Sequence, residues 1–178
     1  MNRTIASLLL LAGAAFSAGP PTIALLYDGP AKNAEGDIVS LAEAMPAEKY
    51  GFAPTDGAFT GVRTFAQQVK HIAAVVYMVS AAAMKEKPPV ELGGENGPDT
   101  VATKEQIVKF LKDSFAYAHK AAQSLTDKNQ LEMVKSPFGE GQVTRGSAVE
   151  IVGWHSFDHY GQMVVYARMN GVVPPASR

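Results

Sequence analysis

His155 and His159 lie four residues apart in a segment with helical periodicity, within the run HSFDH. That spacing puts both imidazoles on one helix face, one turn apart, where a rigid helix can present two nitrogens to one divalent metal ion. Both positions fall in the segment's apolar stripe, so we expect both rings to point inward. Position 156 is serine, so the glutamate that serves as general base in HExxH metalloproteases is missing. The pair therefore indicates a metal site of another type or, alternatively, one packed and one solvated histidine.

The two remaining histidines have different sequence surroundings. The chain contains four histidines and no cysteine, so any metal ligands must be histidine nitrogens and carboxylate oxygens. His71 lies beside the apolar stripe of a second helical segment. It is either a third ligand or a histidine at the core edge bonded to a backbone carbonyl. His119 lies between Ala118 and Lys120, a position that predicts a solvated residue or one at the rim of the fold.

Four amphipathic helices must position these side chains. Apolar residues recur at helical spacing in four segments, and none is a convincing strand. Capping-box pairs, Thr64 with Gln67 and Thr103 with Gln106, mark the starts of the second and third helices. Pro30 suits the first position of helix one, and residues 22–27 are either an extra helical turn or a tail. The predicted helices span about residues 30–45, 64–87, 103–125 and 144–170.

These segments predict an all-α fold, a four-helix bundle with long connecting loops. The connections after the second and third helices have roughly fifteen to twenty residues, whereas bundle turns usually have about two to eight. Loops of this length permit crossovers, so the order of the helices in the bundle stays open. They also provide material for a lid or a pocket rim.

Three blocks of the sequence resemble the DinB/YfiT-like family of small metalloenzymes. The most specific is VGWHSFDHYGQMVVYARMNGVVPPAS, residues 152–177, with its two histidines, the Gly-Gln pair and the closing Val-Pro-Pro. The segments RTFAQQVKHIAAV, residues 63–75, and LAEAMPAEKYGFAPT, residues 41–55, are similar to two further blocks of that family. The resemblance covers nearly all of the chain after residue 40.

The resemblance implies a DinB/YfiT-like four-helix bundle that binds one divalent metal ion, with zinc or nickel as the usual metals. The implied ligands are His71 from the second helix and His155 and His159 from the fourth, and all three are present. Three histidines with open coordination positions would make a catalytic type of site. The resemblance further implies that two copies of the chain can pair as a homodimer.

Five other residues are candidates for supporting the metal ligands or lining a pocket. Gln162 could bond the second nitrogen of a ligand histidine or pack between helices. Tyr160 flanks the histidine pair, and Glu150 is either an acceptor behind the ligands or a solvated residue. Trp154 and Tyr77 are expected to pack at seams of the bundle or to line a substrate pocket.

The N-terminal residues predict export. Arg3 is followed by the apolar run IASLLLLAGAAF and by small residues at Ser17 and Ala18, the layout of a secretory signal peptide. The run is too short for a membrane span, so no stable membrane anchor is expected. We therefore predict a signal peptide at residues 1–18 and one domain at 19–178, periplasmic or extracellular after cleavage. The net charge is −1, which argues against a nucleic-acid partner.

These features support two main functional hypotheses. The first is a metal-dependent hydrolase acting on an unidentified small molecule through Lewis-acid chemistry. The second is a non-catalytic bundle whose pocket binds a metal or another ligand. A thiol-dependent S-transferase, as in the wider superfamily, is a further alternative. Low-molecular-weight thiols are cytosolic reagents, however, so this activity is a poor fit for an exported protein.

Overall fold

Four long helices make up most of residues 21–178, the part of the chain described by the computed structural model. The helices are α1 (Ile23–Ala44), α2 (Phe65–Met84), α3 (Lys104–Gln123) and α4 (Arg145–Met169). The predicted all-α bundle is confirmed. The predicted signal peptide lies outside the described residues. Within the described part, no helix is both long enough and apolar enough to cross a membrane.

The helix starts are set by short polar side chains, as the sequence predicts. Thr64 and Gln67 form a complete capping box at α2, and Thr103 and Gln106 form another at α3. At α4 the side chain of Thr144 accepts a hydrogen bond from a backbone N–H of the first turn. These caps satisfy N–H groups that have no partner within the helix.

The first helix begins a full two turns earlier than Pro30 predicts. Thr22 caps it, and Pro30 lies inside the helix. Interior proline is normally costly because its ring clashes with the preceding turn and removes one hydrogen bond. Here the ring packs against α4 at Gly153, where an added Cβ would lie 3.0 Å from Pro30 Cβ. The absent glycine side chain lets the two helices approach closely at this point.

α2 and α3 run in the same direction. Tyr77 of α2 stacks on Phe110 of α3, and further along both helices Tyr117 Oη donates to the Glu86 carboxylate just beyond α2. The connection between them, residues 85–103, must therefore return along the length of α2 before α3 can begin. This crossover brings a polar loop next to the middle of α2.

α2 and α4 run in opposite directions. Arg145 at the start of α4 donates to the Ala83 carbonyl near the end of α2, and Tyr166 Oη near the end of α4 donates to the Arg63 carbonyl before α2. The two helices pack along their length, as do α1 with α3 and α1 with α4. The α2/α4 seam and the α1/α3 seam are thus on opposite sides of the bundle.

Within residues 21–178, a short β-hairpin contradicts the expectation of no strand. Strands β1 (Met133–Lys135) and β2 (Gln142–Thr144) pair antiparallel ahead of α4. The intervening residues 136–141 include Gly139 and Gly141, both with positive φ. Three-residue strands are too short for alternation to be visible in sequence. The hairpin leads the chain directly into the Thr144 cap.

The core lies between the four helices and is formed mainly by aliphatic and aromatic side chains. Its largest fully buried members are Phe65, Phe115, Ile38, Leu41, Met45, Ile72, Ile107, Leu111 and Met163.

Candidate metal centre

Three histidine rings meet at the α2/α4 seam. His71 comes from α2, and His155 and His159 come from successive turns of α4. The ring centroid of His159 lies 4.6 Å from each of the other two, and those of His71 and His155 are 5.1 Å apart. One nitrogen from each ring lies within 4.8 Å of the others. Bonds of about 2 Å to one ion would require about 4 Å or less between ligand atoms, so small side-chain shifts suffice.

Hydrogen bonds orient two of the rings. Nδ1 of His71 lies 2.6 Å from the Glu95 carbonyl oxygen, and Nδ1 of His159 lies 2.7 Å from Oε1 of Gln68. Both partners are acceptors, so each Nδ1 carries the hydrogen and donates it. Each Nε2 is then left with a free lone pair, the form in which histidine binds a metal.

The third ring has a nitrogen without a protein partner. Nδ1 of His155 is buried and makes no hydrogen bond. An unpaired buried polar atom is costly, and such atoms at functional sites call for an explanation. Coordination of a metal ion would satisfy this nitrogen, so the donor set fits a metal.

Burial keeps the three histidines neutral. It lowers the pKa of His155 to about 3, and the adjacent imidazoles of His159 and His71 and the positive charge of Arg63 further disfavour a proton there. Burial likewise lowers the pKa of His159 to about 4. Burial also lowers the pKa of His71, because it outweighs the opposing effect of the hydrogen bond that His71 donates to the Glu95 carbonyl. A metal can bind only the unprotonated nitrogen, so at neutral pH these rings are ready to coordinate.

The α2–α3 crossover supports His71 from outside the helix. Gly97 has a positive φ and lies so close to α2 that an added Cβ would be 2.6 Å from Lys70 Cβ. Nζ of Lys70 donates to the Pro98 carbonyl and holds the same turn. This contact places the Glu95 carbonyl against His71. In the sequence, Glu95 is marked only by its location in a glycine-rich loop.

Gln68 occupies the supporting position that the sequence had suggested for Gln162. Gln68 Oε1 accepts from His159, and Gln68 Nε2 donates to Gln162 Oε1 at 2.9 Å. Gln162 therefore reaches the histidine indirectly, and its own Nε2 lies 3.5 Å from Asp158. The available signal for Gln68 was its position three residues before His71, on the same helix face.

Trp154 lies beside one ring of the histidine cluster, whereas Tyr160 packs against the hydrophobic core. Trp154 is 58% exposed, with its ring 6.0 Å from that of His155, so it stands at the rim and does not pack in a seam. Tyr160 is half-buried, and its ring contacts that of Phe157.

Tyr77 and Glu150 lie away from the histidine cluster. Tyr77 is buried against the rings of Phe110 and Tyr117, as the packing alternative predicts. Glu150 is exposed and lines a surface depression beside Tyr27.

His119 differs from the solvated residue expected from sequence. It lies at the α1/α3 seam, with Nδ1 2.5 Å from Asp28 Oδ1 and Nε2 3.0 Å from Glu35 Oε2. Burial alone would lower its pKa, but hydrogen bonds and negative charge from Glu35 and Asp28 outweigh burial and raise the pKa. Lys32 also pairs with Asp28, at 2.7 Å. The expectation failed because both carboxylates come from α1, far away in sequence.

Fold and site together define a four-helix bundle with a three-histidine group of the metal-binding kind at one seam. A sequence model of the DinB superfamily matches residues 32–163, and the chain belongs to that superfamily. A comparison with curated protein sequences finds no significant match.

Three solved structures share the fold at low sequence identity. A DinB-like protein from Bacillus cereus has a TM-score of 0.64 and 16% identity, with 84% of this chain and 93% of that chain covered. A DinB-like protein from Bacillus subtilis has a TM-score of 0.62 and 15% identity, with coverages of 82% and 92%. A conserved protein from Enterococcus faecalis has a TM-score of 0.67 and 15% identity, with coverages of 84% and 98%.

Proposed function

We propose that His71, His155 and His159 bind one divalent metal ion and that the protein is a metal-dependent hydrolase of a small molecule. The unpaired, buried Nδ1 of His155 beside two oriented imidazoles is the observation that carries this proposal. Neutral nitrogen donors suit zinc and nickel. A bound ion of this kind supplies Lewis-acid chemistry suited to hydrolysis.

The protein residues would hold and orient this centre. Gln68 and the Glu95 carbonyl fix two imidazoles by their Nδ1 hydrogens, which also raises the basicity of the opposite nitrogens. Trp154 at the rim offers an apolar surface for a substrate.

One observation favours the non-catalytic alternative. The two carboxylates whose charges act on these histidines, Glu95 and Asp158, already contact Arg63 and Gln162. Both residues are exposed, and their side chains are held only by these surface contacts, so neither is fixed in place as a dedicated general base. A bundle that binds a metal or ligand without turnover is therefore the second candidate function.

Metal content tests the site. The purified protein should contain about one zinc or nickel ion per chain by elemental analysis, and His155→Ala and His159→Ala should each lose it. His119→Ala is the matched control, because it removes a histidine from the opposite seam, and it should keep the ion. Unchanged metal content in both site variants would show the assignment to be wrong.

Turnover separates the two candidate functions. The metal-loaded protein is assayed on panels of esters, amides and thiol conjugates, with His155→Ala in parallel. Hydrolysis that disappears in His155→Ala supports the hydrolase. Metal binding without turnover on any panel supports the binding module.

A further inference from the structure

An arginine–carboxylate pair lies at the edge of the histidine cluster. Arg63 precedes the α2 cap, and its Nη2 is 2.8 Å from Oε2 of Glu95, while its Nε donates to Asn96. The same Glu95 oxygen lies 3.9 Å from Nδ1 of His71. A guanidinium is therefore already binding a carboxylate next to one of the three histidines.

The charges around the cluster favour an anionic ligand. Three neutral imidazoles bring no negative charge to a divalent ion, and Arg63 adds a positive one. The nearby carboxylate of Glu95 is engaged with Arg63 itself. A metal-loaded centre would thus carry excess positive charge, which an anion can neutralise.

Glu95 is held by its backbone and not by its side chain. Its carbonyl is fixed on His71, whereas its side chain is 83% exposed, against 28% for Arg63. An ion pair this exposed contributes little to stability, so an external carboxylate can displace it without disturbing the loop. Arginine presents a planar fork that matches carboxylate oxygens, which suits it to such an exchange.

Space for the rest of the ligand adjoins this point. A cavity of about 380 Å³ is lined by Glu95 and His71, and Arg63 lies outside this lining but adjoins it through the ion pair with Glu95. Its remaining walls are largely apolar, formed by Ala74, Val75, Met78 and Leu92 with two glycines. The walls suit a short aliphatic chain attached to the charged group.

We propose that the site binds short aliphatic carboxylates, that Arg63 is the residue that binds the carboxylate group, and that Glu95 occupies Arg63 until the ligand displaces it. This inference rests on the proposed metal centre. It makes Arg63 a determinant of substrate class, and Glu95 an internal competitor of the substrate.

Two substitutions with opposite expected signs test the proposal. Butyrate binding to the metal-loaded protein is measured by calorimetry, with butyramide as the neutral ligand of the same shape. Arg63→Gln should weaken butyrate binding about tenfold, because a charge-assisted bond is lost. Glu95→Gln should tighten it about threefold, because a weak surface ion pair no longer competes. Neither should change the affinity for butyramide.

Controls separate this inference from the metal assignment. Arg168→Gln removes an exposed arginine at the far end of α4 and should leave butyrate binding as in the wild type. Metal content and melting temperature are measured for every variant. A wild-type protein without metal would overturn the proposed function, and this inference with it. If metal is bound, unchanged butyrate affinity in Arg63→Gln, or weaker affinity in Glu95→Gln, overturns the carboxylate proposal alone. If Arg63→Gln does not fold, the result with Glu95→Gln still decides the matter.

Discussion

Opposite seams of the bundle hold two clusters, one of three histidines and one of a single histidine with carboxylates, that differ in their partners. At the α2/α4 seam, His71 and His159 donate to neutral oxygens, and burial lowers the pKa values of all three rings. At the α1/α3 seam, His119 lies between the carboxylates of Asp28 and Glu35, and its pKa is raised. Where carboxylates surround a histidine, a proton supplies the positive charge. Where three histidines meet among neutral acceptors, the rings stay unprotonated and a nitrogen lone pair of each is free to bind a metal.

The largest expected effect is stabilisation of one cluster by metal. Metal at about a thousand times its dissociation constant should raise the free energy of unfolding by about 4 kcal/mol. The melting temperature should then rise by roughly 8–16 °C. Thermal denaturation with zinc or nickel, and with a chelator, measures the increment. His119→Ala should keep the full increment and His155→Ala should lose it; an equal increment in both would remove the distinction between the clusters.

The crossover loop, residues 85–103, should stabilise the fold and support metal binding by the three-histidine cluster. Gly97→Ala places a Cβ 2.6 Å from that of Lys70 and requires a positive φ, so it should cost about 3 kcal/mol of unfolding free energy. It should also weaken metal binding, because it displaces the Glu95 carbonyl from His71. Gly94→Ala is the matched control: no atom lies within 4 Å of its Cβ position, and its cost should stay within about 0.5 kcal/mol. Urea denaturation of the metal-free variants gives both values, and similar costs would contradict the close approach of the loop.

The cluster around His119 at the α1/α3 seam should contribute to the stability of the fold and not to metal binding. The Asp28 side chain is only 5% exposed, and His119→Ala leaves it with Lys32 as its remaining charged partner. We expect a loss of about 2 kcal/mol at pH 6, with metal content unchanged. Lys120→Ala, an exposed neighbour on α3, should cost less than about 0.5 kcal/mol. Loss of metal from His119→Ala would link the two seams and refute their independence.

Removing the Gln68 amide, which accepts a hydrogen bond from His159, should have a smaller effect, and this effect is on metal affinity. Gln68→Met keeps the length of this buried side chain but removes the acceptor for His159, so metal affinity should fall about tenfold, or about 1.4 kcal/mol. Gln162→Met acts one bond further away and should have less effect. Competition with a chromogenic chelator measures both affinities. An equal loss in the two variants would mean that Gln68 does not orient His159 directly.

pH should affect stability through His119 with a predictable sign. Its raised pKa stabilises the fold fully below the ordinary value of 6.5, and that contribution is lost as pH rises through the folded pKa. For Asp28, burial alone would raise the pKa, but bonds and charge from Lys32 and His119 lower it overall. Its contribution is therefore present above 3.8 and lost as pH falls through the folded pKa.

The stability difference between wild type and His119→Gln should thus be largest between about pH 4 and 6.5. It should shrink by on the order of 1 kcal/mol towards pH 9. Denaturant titrations at pH 5, 7 and 9 give this difference directly. A difference that grows with pH would show that His119 is neutral in the folded protein.

Local patterns explain why the helices and the α4 pair were predictable. The caps at Thr64 and Thr103 involve partners three residues away, and the spacing of His155 and His159 is likewise local. His71 depended on the family resemblance, because its neighbours in sequence do not reveal which helix α2 will face. The structure brings these three side chains together.

Features that depend on distant contacts could not be predicted. Pro30 suggested a helix start because the sequence does not show that Gly153 leaves room for its ring. Glu95 and Gln68 support the cluster through contacts made only after the crossover and α4 have packed. His119 was expected as a solvated or rim residue, and its carboxylate partners could not be predicted because they come from another helix.

The division of the histidines between α2 and α4 has a consequence for biosynthesis. A growing chain that has been made only through α3 carries His71 as the single one of the three proposed ligands, because His119 of α3 lies at the other seam. One imidazole binds a metal ion too weakly to compete with solvent and other ligands. His155 and His159 arrive together on the helix that is synthesised after the other three. Binding of the proposed metal ion would therefore follow assembly of the bundle, and a nascent chain would not capture an ion in a partly built site.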